Sequence, residues 1–171
     1  TLPALPMTMK WRFSRRSQGA RMQITIRVQA EPFDMAFGYE DSIAGRTDIV
    51  GIVSFTGLVR DFNETPDVTG LTLEHYPGMT EATLQRIAEQ AGERWSLNAV
   101  TIIHRVGHMR PGDAIVRVLV ASAHRREAFE ACDFIMDWLK TQAPFWKKEH
   151  GRQGDYWVKE RRSDIDDAAR W

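Results

Sequence analysis

The 171-residue chain has a single cysteine, Cys132, which excludes an internal disulfide and a Cys-rich zinc site. That scarcity fits a reducing compartment, and the expected location is cytoplasmic. No apolar run approaches the roughly 18 residues of a membrane span. A glycine-rich phosphate loop and a serine-centred nucleophile elbow are both missing. So are internal repeats and low-complexity tracts within residues 22–171. Net charge is absent too, with 23 Lys+Arg against 23 Asp+Glu. That balance argues against a general polyanion binder, so no nucleic acid and no membrane is expected as a partner.

The zero is a sum of two unlike parts. Residues 1–21 hold Lys10, Arg12, Arg15, Arg16 and Arg21 without one acid, whereas residues 22–171 hold 18 basic and 23 acidic groups. The first stretch mixes Pro3, Pro6, Ser14, Ser17 and Gly19 with its arginines and shows no apolar period. It reads as a basic extension outside the domain, and a tail, a targeting segment and a docking arm remain alternatives. Residues 22–171 have the length of one domain that needs no metal or disulfide staple.

Periodicity then orders the chain. Ile24, Ile26 and Val28 alternate as in a half-buried strand, and residues 33–45 are ambiguous, with a short helix possible after Pro32. Ile49–Val59 is β-branched and reads as a strand, residues 61–69 as a loop, and Leu71, Leu73 and His75 as another strand. Residues 80–95 form a helix with Thr80 as N-cap and Leu84, Ile87, Ala88, Ala91 and Trp95 on its buried face. Val100–Val106 and Ala114–Ala121 are strands expected to pair around the Pro111-Gly112-Asp113 turn. A second helix covers about 124–141, with Phe129, Cys132, Met136 and Leu139 as its core stripe, and Pro144 ends it. Residues 145–149 and 155–160 read as short strands. Clustered strands and irregularly placed helices favour an α+β fold.

Cations gather at element ends. Arg60 closes one strand, His124-Arg125-Arg126 open the long helix, Lys140 closes it, and Lys147-Lys148 follow a proline turn. A His-Arg pair at a helix N-terminus adds side-chain donors to free backbone N–H groups and suits a phosphate, although a solvated helix end looks the same. Lys140 could merely complement the helix dipole. Beside other cations and the Ala143-Pro144-Phe145-Trp146 surface, it could also serve as a nucleophile or proton carrier. Phe145 and Trp146, adjacent in a strand, point to opposite faces. His104 and His108 are four apart, but a strand-to-turn setting lacks helical chelating geometry, so no metal site is expected. Cys132 lies on an apolar stripe, as a buried inert thiol would.

Taken in order, the blocks SFTG (54–57) with VR (59–60), LEHYPGMTE (73–81), IHRVG (103–107), PGD (111–113) and SAHR (122–125) resemble the catalytic large subunit of molybdopterin synthase, the MoaE family. FEA (129–131), FIMD (134–137), LKT (139–141) and APFWKKE (143–149) extend the resemblance, with Trp157, Val158 and Arg161 beyond. It runs from about residue 22 to Arg170-Trp171. It implies an α/β hammerhead-like domain with an additional antiparallel sheet. It also implies an enzyme, a sulfurtransferase that converts cyclic pyranopterin monophosphate (precursor Z) into molybdopterin. The sulfur would come from the C-terminal Gly-Gly thiocarboxylate of a small ubiquitin-like partner, in a heterotetramer built on a homodimer of large subunits. No cofactor is implied.

Matched one by one, Arg60, His124 and Arg125 correspond to substrate-binding positions of that family. Lys140 and Lys147 correspond to catalytic, substrate-contacting lysines, Lys148 and Glu149 on the same strand to further substrate-binding positions, and Arg161 to an arginine reaching the neighbouring subunit's site. Leu58 departs, since relatives can carry lysine there, and the basic extension has no counterpart. The lone cysteine agrees with this chemistry, because a sulfur carrier of the chain's own would need an exposed thiolate. The alternative is a non-catalytic phosphate- or pterin-binding module of the same fold. A third reading is an interaction protein docking RNA or a scaffold through its basic arm.

Overall fold

The computed structural model describes residues 21–60, 68–159 and 162–171. The basic extension up to residue 20, most of the 61–69 loop, and Arg161 lie outside the described residues.

Among the described residues two four-stranded sheets make the frame. In the first, β1 (Gln23–Gln29), β4 (Leu97–Arg105), β6 (Ala114–Ser122) and β2 (Gly51–Leu58) lie in that spatial order. β1 runs parallel to β4, the one departure from an antiparallel arrangement, while β4–β6 and β6–β2 are antiparallel. In the second sheet the order is β5 (Gly107–Met109), β3 (Val68–His75), β7 (Phe145–Gly151) and β8 (Gly154–Val158), all antiparallel. The expected pairing of β4 with β6 is present, but they are not a tight hairpin. The chain between them leaves to build β5 in the other sheet before the Pro111-Gly112 turn returns it.

The central strands β4 and β6 are buried along nearly their whole length, which explains their Val/Ile runs. Val100, Ile102, Val116, Val118 and Val120 pack against α2 (Met79–Arg94) and α3 (Arg125–Gln142) in the main core. The opposite face is approached by the segment around α1 (Tyr39–Ile43), where Gly38 lies so near Thr101 and Leu119 that a Cβ would meet Thr101 Cγ2 at 2.9 Å. Gly38 also has φ +82°, which favours glycine there on two counts.

Both long helices begin or pack differently from their sequence pattern. Helix α2 starts two residues before the expected Thr80 cap, with Gly78 at the N-cap. Gly78 offers no side chain, so Glu81 does the capping, its Oε2 accepting the Gly78 N–H at 2.7 Å. Thr80 is fully buried inside the first turn, where its hydroxyl accepts the Tyr76 N–H at 3.2 Å and donates to the Pro144 carbonyl at 3.3 Å. On α3 the buried stripe is Ala128, Ala131, Cys132, Ile135, Met136 and Leu139, joined by Phe134. Phe129 is 64 % exposed. The small alanines let α3 sit close to the sheet and turn residue 129 outward, a correction to the expected stripe.

A second, smaller cluster of Val59, Leu71, Leu73 and Met109 lies under the second sheet, with Phe145 and Ile115 shared between the two clusters. A short helix that the sequence did not announce, α4 (Arg162–Ala168), packs on α3 without burying a residue. It is fastened by its continuation: Asp137 Oδ2 accepts from Arg170 Nη2 at 2.7 Å and from Trp171 Nε1 at 2.7 Å. Trp171 stands edge-on to Trp95 and Phe134 at 5.7 Å.

Candidate active site

A cavity of about 260 Å³ opens where the two clusters meet. Leu58, Val59, Val68, Leu71, Ile115, Val116, Met136 and Leu139 give it apolar walls, while Arg60, His104, Lys140, Lys147 and Glu149 supply its polar lining. Four residues singled out from the sequence therefore converge on one space, although they lie up to 89 positions apart in the chain. Arg60 reaches it from the end of β2, Lys140 from the last turn of α3, and Lys147 and Glu149 from β7.

The strand period selects among the β7 residues. Lys147 and Glu149, two apart, share a face, and the Lys147 ammonium pairs with Glu149 Oε1 at 2.8 Å. Glu149 is only 2 % exposed, so an ionised carboxylate there requires compensating partners. Lys147 is one, and the Tyr156 hydroxyl, which donates to Oε2, is another. Lys148 takes the opposite face, paired with Asp155 at 3.4 Å and 5.8 Å from the Trp157 ring, and does not line the cavity. Phe145 turns inward while Trp146 is exposed, as their adjacency required.

Lys140 has a partner that its sequence neighbourhood could not reveal. Its ammonium lies 3.3 Å from Asp164 of α4. It also lines a shallower groove between β2 and α3, bounded by Val53, Phe55, Phe129, Cys132 and Met136 among others. Met136 and Lys140 are common to groove and cavity, so the two spaces meet at this lysine.

His124 and Arg125 are elsewhere. They sit exposed at the N-terminal end of α3, sixteen and fifteen residues before Lys140, which at 1.5 Å rise per residue is roughly 24 Å along the axis. Within one chain they cannot share the cavity.

His104, which the sequence does not mark as a site residue, also lines this cavity. It is 5 % exposed, stacked on Phe145 with ring centroids 4.1 Å apart. Its Nδ1 lies 2.9 Å from the Arg105 carbonyl oxygen. Burial lowers its pKa to about 4 against the raising effect of that carbonyl, and nearby His75 lowers it further. Its placement at a strand end that turns towards a second sheet was the available signal.

Cys132 is buried, and burial pushes its thiol up to about 12, with the Asp133 carboxylate adding to the effect. It is not a thiolate near neutral pH. Among the described residues no group of three or more His, Cys, Asp or Glu could hold a metal ion, and no helix is long and apolar enough to cross a membrane.

The family model described as MoaE protein matches residues 28–142. The chain is 51% identical over 148 residues to the molybdopterin synthase catalytic subunit of Pseudomonas aeruginosa, covering 86% of this chain and 99% of that one. Among solved structures, a molybdopterin biosynthesis MoaE protein from Burkholderia ambifaria matches with TM-score 0.75 and 45% identity, over 87% of this chain and 98% of that one. A molybdopterin synthase from Staphylococcus aureus matches with TM-score 0.72 and 28% identity, over 78% and 96%.

Proposed function

Because the chain belongs to the MoaE protein family, we propose that it is the catalytic subunit of a molybdopterin synthase. It transfers sulfur from the C-terminal thiocarboxylate of a small ubiquitin-like partner to cyclic pyranopterin monophosphate, forming the dithiolene in the cytoplasm. The observation that carries this reading is the convergence of Arg60, Lys140 and Lys147 on one apolar-walled cavity.

The arrangement suits the chemistry. A pterin ring takes the apolar walls, and the cations neutralise its phosphate, the partner's carboxy-terminal tail and the thiolates as they form. Beside apolar walls such charges act more strongly than they would in open solvent. The groove along β2 and α3 ends at Lys140 and gives an extended Gly-Gly tail a path to it. Lys140 then stands where tail and pterin meet, as nucleophile towards the thiocarboxylate carbonyl or as proton relay. Glu149 holds Lys147 in place from below. The chain's only thiol borders this groove but is buried and held protonated, so sulfur arrives on the partner.

A substrate role for His124 and Arg125 requires a second copy of the chain, since their own Lys140 is a helix length away. A homodimer inside the heterotetramer supplies one, and Arg161 is assigned to the same cross-subunit contact.

The test is reconstitution with thiocarboxylated partner and precursor, with dithiolene product as readout. Lys140→Ala is expected to abolish most turnover and Cys132→Ser to leave it largely intact. Full activity in Lys140→Ala would overturn the assignment, and tight pterin binding without turnover would favour the non-catalytic module.

A further inference from the structure

The cavity's polar lining is almost entirely made of donors. Among the described residues that line it, Arg60, Lys140 and Lys147 can only donate, and the one carboxylate, Glu149, already accepts from Lys147 and Tyr156. His104 is the exception. A carbonyl oxygen only accepts, so the 2.9 Å contact with Arg105 puts the hydrogen on Nδ1 and leaves a lone pair on Nε2. Phe145 covers one ring face and holds the plane. Among the described residues nothing bonds to Nε2, although His104 is nearly buried and lines the cavity.

An acceptor that opens on an apolar-walled cavity is a ready partner for a donor on whatever the cavity holds. We propose that His104 is a substrate-binding residue whose Nε2 accepts a hydrogen bond from an N–H or O–H of the heterocycle held in the cavity. This rests on the proposed function for the identity of that heterocycle, a reduced pterin. The cations recognise the anionic end of such a ligand whatever its ring, whereas an acceptor at Nε2 recognises a donor on the ring itself. His104 thereby fixes which edge of the ring is buried, and an anion without ring donors gains nothing from it. Burial keeps the imidazole neutral through the physiological range, so the lone pair stays available beside the cations.

Two measurements decide it. In the full chain labelled with ¹⁵N-histidine, His104 should show the neutral Nδ1–H tautomer between about pH 6 and 8, and its Nε2 resonance should move when cyclic pyranopterin monophosphate is added. The opposite tautomer, or an Nε2 signal indifferent to bound precursor, overturns the contact. In the reconstituted complex, His104→Phe should raise KM about tenfold with a smaller change in kcat, the effect of one lost hydrogen bond. His104→Gln, which returns an acceptor near the Nε2 position, should recover most of that loss. Should the phenylalanine variant fail to fold, the glutamine variant and the tautomer measurement still decide the question. A wild-type complex that converts precursor while His104→Phe keeps its KM overturns this contact alone. A wild type that neither binds nor converts precursor overturns the proposed function, and this contact with it.

Discussion

The helix-backed side of the first sheet and the small cluster under the second are built to opposite specifications. The first is wide and apolar, with Leu84, Ile87, Val100, Ile102, Val118 and Phe134 all at zero exposure. The second has four buried apolar side chains and borrows Phe145 and Ile115 from its neighbour. Ionisable groups gather on the second side: Lys147 with Glu149, Lys148 with Asp155, and His104 at the seam. The difference separates two tasks. A close-packed core fixes the ends of α3 and the central strands to a fraction of an ångström. A thin cluster leaves unfilled space beside it, to which the rigid side brings Lys140 and the second sheet brings the Lys147–Glu149 pair.

The comparison breaks most visibly at Phe134. Phe134→Ala is expected to cost about 3–5 kcal/mol, whereas Leu73→Ala in the small cluster should cost about 2–3 kcal/mol, because a site next to a cavity can collapse. Denaturant unfolding of both variants checks this, and equal losses would erase the distinction. Lys140→Ala tests the converse. It should lower the rate of dithiolene formation by about 10²–10³-fold, in line with the loss of one electrostatic group at a reacting centre. Its stability should change by no more than about 0.5 kcal/mol. A Lys140→Ala protein that unfolds early would mean that the charged side helps to hold the fold.

Acid sharpens the contrast at the seam. The unfolded chain binds a proton at His104 below its ordinary pKa of 6.5, while the folded chain resists until about 4. The unfolded state therefore holds more protons in that window, so stability is full above 6.5 and falls as pH drops towards 4. A shift of that size corresponds to roughly 3 kcal/mol at most. The stability–pH curve of His104→Gln should be flatter between those limits, and an unchanged curve would mean that the imidazole is hydrated. The smallest effect is expected at Phe129. Phe129→Ser should change the stability of the isolated chain by less than about 0.5 kcal/mol, since the ring is already exposed.

How far these features could be read from sequence followed the range of the forces involved. Alternation at Ile24, Ile26 and Val28 marked β1, and the Val/Ile runs marked β4 and β6, because burial imposes its period locally. That β1 lies parallel to β4 could not be read, since 67 residues separate Gln29 from Leu97 and strand direction leaves no mark on composition. Helix α4 went unseen because Arg-Ser-Asp-Ile-Asp-Asp-Ala has no apolar stripe. Contacts made further on, by Arg170 and Trp171 with Asp137, hold it in place. The cations Arg60, Lys140 and Lys147 could be picked out by their positions at element ends and by family resemblance. Asp164 beside Lys140 and the inward turn of His104 could not, because both depend on how distant segments dock. His124 and Arg125 show the limit from the other side. Residue type marked them, and only the length of α3 revealed that they stand apart.

The buried thiol has a practical consequence. Cys132, buried and with its thiol pushed up to about 12, is expected to couple far more slowly to maleimides or iodoacetamides than an exposed cysteine. The described fold is thus a quiet background for site-specific labelling. One cysteine introduced at Phe129, on the rim of the groove, could carry a fluorophore by itself and report when a tail passes towards Lys140.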